Sequence, residues 1–188
     1  AIALTAHTVN GNLTVTSGAT AGITDSGNVT VAGNLVATTN ANNGVIDLGT
    51  TTVTGTMDLT TQGSGNVTID NDMSDIVLLA SEVGGTLTLT SGAAAGITDN
   101  GTVTVGVNLI ATTDDNNGVI ELDQTVVGGT ATLNTHGSGD VTIESDTEAI
   151  VLITSSIGGI LTLRTGAAGG ITDSGTVTVG GNLVATTD

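Results

Sequence analysis

Apolar and polar positions alternate along most of this chain. In 85–92, GTLTLTSG, Leu87 and Leu89 fall on one side of an extended backbone, and Thr86, Thr88 and Thr90 fall on the other. That is the pattern of a strand with one buried face. The stretches 11–16 (GNLTVT), 102–105 (TVTV) and 140–144 (DVTIE) behave the same way. No window carries a convincing helical period, and the density of Gly, Thr and Val opposes helix formation. The expected class is all-β.

The strands recur in a larger pattern. Ile23, Ile97 and Ile171 lie 74 residues apart inside GITDSG, GITDNG and GITDSG, and the same offset relates Leu13, Leu87 and Leu161. Residues 1–74 and 75–148 form two complete units and 149–188 a partial third, with no insertion or deletion between them. Spacing this strict points to units that stack on one another as one continuous body. Within a unit, segments beginning at Gly84, Gly106 and Gly128, and ending before Gly158, bring Leu87 over Leu109 and Ala131, Leu89 over Ala111 and Leu133, and Ile97 over Val119 and Val141. These aliphatic columns predict a parallel β-solenoid with about three turns per unit, Gly, Asn and Asp at its corners, and a protruding loop near Glu144–Glu148. At about 4.8 Å per turn each unit would then advance roughly 14 Å. The rival expectation is one antiparallel sandwich per unit, suggested by the hairpin-type pairs Asn43-Gly44 and Asn117-Gly118.

Composition narrows the function. The chain has no Trp, Tyr, Phe, Pro or Cys, so its core must be built from Leu, Ile, Val and Ala, and there is neither a disulfide framework nor a thiolate metal site. Eighteen acidic residues face one basic residue, Arg164, for a net charge of −17. Nucleic acid and anionic membrane surfaces are poor partners for such a surface. The longest aliphatic run, 149–153, is far below the roughly twenty residues that span a bilayer. The opening segment AIALTAH aligns with DIVLLAS and AIVLITS inside the chain, so it reads as repeat sequence and not as a signal peptide, and the expectation is a fragment of a longer or processed protein.

The runs GNLTVTSG, GITDSGNVTVAGNLVATT and GTLTLTSGAAAGITDNGTVTV resemble, over the whole chain, the repeats of giant secreted bacterial surface proteins of the filamentous-haemagglutinin-like adhesin type. The resemblance is one of composition and rhythm. It implies a right-handed parallel β-helix in an extracellular stalk, fibre or adhesin.

The unit length also tests candidate chemistry, because a repeated site should recur at the same offset. His7 corresponds to Ser81 and Ser155, and His136 to Gln62, so neither histidine recurs and both are expected at surface or corner positions. Arg164 stands where the other units have Thr16 and Thr90, too little cationic character for a polysaccharide lyase. Four acidic columns do recur: Asp25/Asp99/Asp173, Asp47/Glu121, Asp70/Glu144 and Asp72/Asp146. Asp70 with Asp72, and Glu144 with Asp146, sit two apart and form the candidate Ca²⁺ ligands of the chain, the alternative being a solvated acidic face. The calcium-coil nonapeptide of other solenoids is absent. Outward Thr-x-Thr pairs suggest an ice-binding face, but Thr88 and Thr90 are followed a turn later by Ile110 and Thr112, and then by Thr132 and Asn134. The sequons at Asn12, Asn28, Asn66 and Asn100 do not follow the repeat. Altogether the sequence predicts a non-enzymatic structural segment of an extracellular fibre or adhesin stalk. Its expected partners are the rest of a longer chain or further copies stacked end to end, with divalent cations as possible ligands.

Overall fold

The computed structural model describes residues 1–40, 43–114 and 117–188, and all its strand pairs among them are parallel. It is a β-solenoid. Nine rungs are stacked, with eight turns between the first and the ninth. Rungs 1 to 3 each contain two three-residue strands and one of five: Ile2–Leu4, His7–Val9 and Leu13–Ser17; Ile23–Asp25, Val29–Val31 and Leu35–Thr39; Ile46–Leu48, Thr51–Val53 and Thr56–Thr60. Rungs 4 to 6 begin with the long strand: Val67–Asn71, Ile76–Leu78 and Ser81–Val83; Leu87–Ser91, Ile97–Asp99 and Val103–Val105; Leu109–Thr113, Ile120–Leu122 and Thr125–Val127. Rung 7 is the pair Ala131–Asn134 and Val141–Ser145. Rungs 8 and 9 return to the first form, with Ile150–Leu152, Ser155–Ile157 and Leu161–Thr165, then Ile171–Asp173, Val177–Val179 and Leu183–Thr187.

Each rung has two sides, front and back, and each side is either one straight long strand or a bent pair of short ones. The front column runs through Ile2, Ile23, Ile46, Val67, Leu87, Leu109, Ala131 and Leu152. Successive partners are 20 to 23 residues apart. The stacking of Leu87, Leu109 and Ala131, and of Leu89, Ala111 and Leu133, follows the expected columns. One column is corrected: Ile97 pairs with Ile120, not Val119, because the Asn117 corner adds a residue to that turn. The core is a single aliphatic stack in which Ile46, Leu48, Leu59, Ile69, Leu87 and Leu89 are fully buried. Stacked aliphatic side chains fill a thin interior without aromatic rings, and each large one removed from water contributes about 1.5–3 kcal/mol.

The unit of 74 residues spans three and a half turns where the sequence predicted about three. Residues 1–74 contain four long strands and three bent pairs, seven sides in all, and an odd number of sides ends a unit on the opposite face. Leu13 therefore lies on the back sheet, Leu87 on the front and Leu161 on the back again. The half-turn arises where two long strands follow each other directly, Thr56–Thr60 before Val67–Asn71 and Ala131–Asn134 before Val141–Ser145. This also replaces the loop expected near Glu144–Glu148. Glu144 and Ser145 belong to a strand, Ser145 is buried, and the extra length of that segment is another half-turn.

The Asn-Gly pairs are corners of the coil and not hairpins. Asn43 and Asn117 have φ of 58° and 53°, a left-handed conformation that Asn tolerates, and their Oδ1 atoms accept the backbone N–H of Ser64 and Ser138 one rung on, each at 2.8 Å. Inside the corners, buried threonines close the chain: Thr39, Thr61, Thr113 and Thr135 each donate a hydroxyl hydrogen bond of 2.7–2.8 Å to the carbonyl of a following glycine.

Candidate functional site

The recurrent acidic columns meet at the bent sides of the coil. A strand that bends leaves backbone N–H groups without ladder partners, and Asp25 supplies them from the rung before: its carboxylate accepts from Gly49 N–H (3.2 Å), Thr50 N–H (2.9 Å) and the Thr50 hydroxyl (3.0 Å). Asp99 does the same a unit later, for Asp123 N–H (3.2 Å), Gln124 N–H (3.1 Å) and the Thr125 hydroxyl (3.0 Å). Burial pushes the Asp99 carboxyl above the usual range, and the N–H bonds that favour its charged form oppose this. The Asp25/Asp99 positions thus brace the fold.

Beside each brace lies a groove. The first, of about 520 Å³, is lined by Asp25, Asp47, Thr50, Thr52, Asp72 and Met73. The second, of about 220 Å³, is lined by Asp123, Gln124, Val126, Asp146 and Thr147. Gln124, Val126, Asp146 and Thr147 are the 74-residue equivalents of Thr50, Thr52, Asp72 and Met73, so one groove is carried by the repeat. It forms where a straight long strand caps a bent pair, first on the front between rungs 3 and 4 and then on the back between rungs 6 and 7.

The four candidate metal ligands do not come together. Asp70 is on the front strand Val67–Asn71 with Asp72 just beyond it, and Glu144 is on the back strand Val141–Ser145 with Asp146 just beyond it. Half a turn and three whole turns separate the pairs. Among the described residues no three His, Cys, Asp or Glu side chains are grouped as a metal would need. Each pair supplies two carboxylates, against the six to eight oxygens of a Ca²⁺ shell.

The two pairs differ in what stacks on them. Glu144 is in register with Arg164, whose guanidinium reaches Glu144 at 3.6 Å and Asp188 at 2.6 Å, an axial ion-pair ladder. Asp70 is in register with Thr90 and gains no cation. Its Oδ1 is buried without a donor, and its carboxyl is pushed up to about 6 by burial, by sharing a proton with Asp72, and by the charges of Asp72 and Asp114. Because the folded value exceeds the unfolded one, the protonated pair stabilises fully below the ordinary Asp range, and that stability is lost as pH rises through 6. Asp70→Asn should therefore raise the melting temperature at pH 7.5 by about 2–4 °C, roughly 1 kcal/mol after solvent screening, and leave it unchanged at pH 3.5. Thermal melts of both proteins across that range check the sign.

His7 Nδ1 lies 3.0 Å from the Thr5 carbonyl, and His136 Nδ1 lies 2.7 Å from the Thr113 carbonyl one rung earlier. Both are exposed, on rungs 1 and 7. The outward threonines of the front face stack as Thr88, Ile110 and Thr132 beside Thr90, Thr112 and Asn134, so Ile110 and Asn134 interrupt the two columns.

A profile of repeats of unknown function (DUF5649) matches residues 1–48 and 138–188, more than half of the chain. The chain belongs to this repeat family. The two segments that match the DUF5649 profile cover the first 48 residues of the first unit and, with the end of the second, the partial third; these units lie two apart and so present the same side of the coil. No curated protein and no solved structure matches the chain.

Proposed function

We propose that this DUF5649 chain is a non-catalytic structural segment, a stiff rod in the stalk of an extracellular bacterial fibre or adhesin. The observation that carries the reading is the unbroken axial ladder: every rung from the first to the ninth pairs in parallel with the next, and one aliphatic stack runs the whole length. Such a body turns chain length into axial distance, about 38 Å over eight steps of about 4.8 Å. The recurrent Asp25 and Asp99 carboxylates are used up in bracing the bends, which supports a structural over a chemical use of the columns. The placement outside the cell draws on the resemblance of the GNLTVTSG-type runs to secreted surface repeats, and the net charge of −17 suits a rod that must not clump.

Two measurements test the proposal. Small-angle scattering of the purified chain should give an elongated particle whose cross-section is constant along its axis, and a compact sphere of the same mass would sink the rod. Protease treatment of intact source cells should release fragments of this sequence, and complete protection until lysis would sink the extracellular stalk.

A further inference from the structure

The half-integral pitch of the unit has a consequence for any chain that gains or loses one. Residue 74 and residue 148 occupy the same place in successive units, in an exposed corner next to Met73, which is 79% exposed, and Thr147. Cutting at these corners and rejoining puts each downstream residue on the backbone path of its equivalent, so every aliphatic column continues. What changes is direction: the surface beyond the junction turns through half a revolution and shifts by about 17 Å along the axis. Removing or adding a single turn of about 22 residues has less freedom: within rungs 1–3 or 4–6 it keeps bent sides over bent ones, but neighbouring turns do not carry the braces, Asp25 lying in register with Leu4 and Asp99 with Leu78, so the carboxylate is lost or meets a different bend.

We propose that the 74-residue unit is the interchangeable module of this coil, and that the parity of the unit count decides which side of the rod carries the surface beyond it: an odd change reverses that surface, and an even change restores it. The acidic groove already shows the rule, since its two copies open on opposite sides. In use this rests on the rod reading, as a way for a stalk to present the same feature alternately left and right. The geometry itself does not depend on what the stalk is for.

The chain has no cysteine, so paired cysteines report the register directly. In the parent, Asp70 sits on the front of rung 4 and Arg164 on the back of rung 8, roughly 22 Å apart along the axis, and Asp70→Cys with Arg164→Cys cannot form a disulfide. Deleting residues 75–148 moves Arg164 into the place of Thr90, directly in register with Asp70, at a strand spacing of about 4.8 Å that a disulfide accepts. Under mild oxidation the shortened double-cysteine chain should give at least about tenfold more intramolecular disulfide than the parent. A shortened chain that keeps its β-sheet spectrum but forms no such bond overturns the proposal, while the scattering result for the rod would stand. If the shortened chain does not fold, a chain with 75–148 duplicated decides. It must fold with a melting temperature no lower than the parent's, and Arg164→Cys must cross-link to Glu144→Cys placed in the second duplicate and not in the first. Loss of β-structure in the duplicated chain, or cross-linking to the first duplicate, overturns the module.

Discussion

Gly96→Ala should unfold the 188-residue chain or bring it close, and in that same chain Gly170→Ala, where no following rung is included, should cost only about 1–2 kcal/mol. Gly22, Gly96 and Gly170 turn the chain into a short strand with φ of 65°, 71° and 64°, where any L side chain is strained. That strain is common to all three. The surroundings are not: a Cβ on Gly96 would be driven into the carbonyl oxygen of Val119, and one on Gly22 into that of Val45, because the next rung lies flat against the corner. Backbone on both sides of the clash cannot swing aside as a flexible side chain can. The Val45 and Val119 carbonyls also accept the N–H of Ile23 and Ile97 at 2.8 Å, so moving them breaks the ladder beside the core. At Gly170, in this 188-residue chain, the nearest atom is Thr187 Cγ2 at 3.8 Å, an ordinary contact. Urea titrations of the two variants check the contrast, with Gly96→Ala expected to lose upwards of about 4 kcal/mol. Equal losses would mean that the φ penalty, and not close stacking, governs these corners.

Repetition is why so much of the fold is legible in the sequence. Leu87, Leu109 and Ala131 can be aligned by counting, since each turn is close to 22 residues and the core accepts any aliphatic residue in a column. The half-turn cannot be counted in this way. Inward positions alternate with period two both in LTLTS, a straight side, and in ITD with VTV, the two halves of a bent one. A carboxylate 24 or 25 residues earlier holds two of the bends, as Asp25 does for Gly49 and Thr50 and Asp99 for Asp123 and Gln124, but no local window contains both partners, and the pair at 97–105 bends without one, Asn100 N–H bonding the Leu78 carbonyl instead. The acidic columns were visible for the same reason as the aliphatic ones. Their surroundings were not: Asp70 with Asp72 and Glu144 with Asp146 look like two copies of one site until an odd number of sides places them on opposite faces, one stacked on Thr90 and the other on Arg164. Arg164 stands out in the sequence as an exception to the repeat, and the structure gives it a partner in Glu144 one rung before and Asp188 one rung after.

Asn71→Ala is expected to be the most damaging single change to a polar side chain, at about 3–5 kcal/mol. Asn71 is fully buried at the end of the long strand Val67–Asn71, above the bent pair Ile46–Leu48 and Thr51–Val53. The straight strand pairs with the first half of that bend through Val67, Thr68 and Ile69. Over the second half the side chain of Asn71 takes the place of a backbone unit: its Oδ1 accepts from Val53 N–H at 2.8 Å, and its Nδ2 donates to the Val53 carbonyl at 3.1 Å and to the Asp75 carbonyl at 2.7 Å. Truncation leaves one buried donor and two acceptors without these bonds, each costing about 1–3 kcal/mol. The equivalent residue in the next unit is Ser145, whose Oγ accepts only a 3.4 Å bond from Glu148 N–H, and a small apolar gap opens among Val127, Ser145, Ala149 and Ile150. Ser145→Asn should therefore span from the back strand to Val127 as Asn71 does to Val53, and raise stability by about 1 kcal/mol. Hydrogen exchange read at Val53 and Val127 distinguishes this bridge from a general packing effect. Asn71→Ala should speed exchange of the Val53 amide far more than that of Val31 one rung earlier, and Ser145→Asn should slow the Val127 amide, whereas uniform changes along the rod would show that the amide is not standing in for a strand.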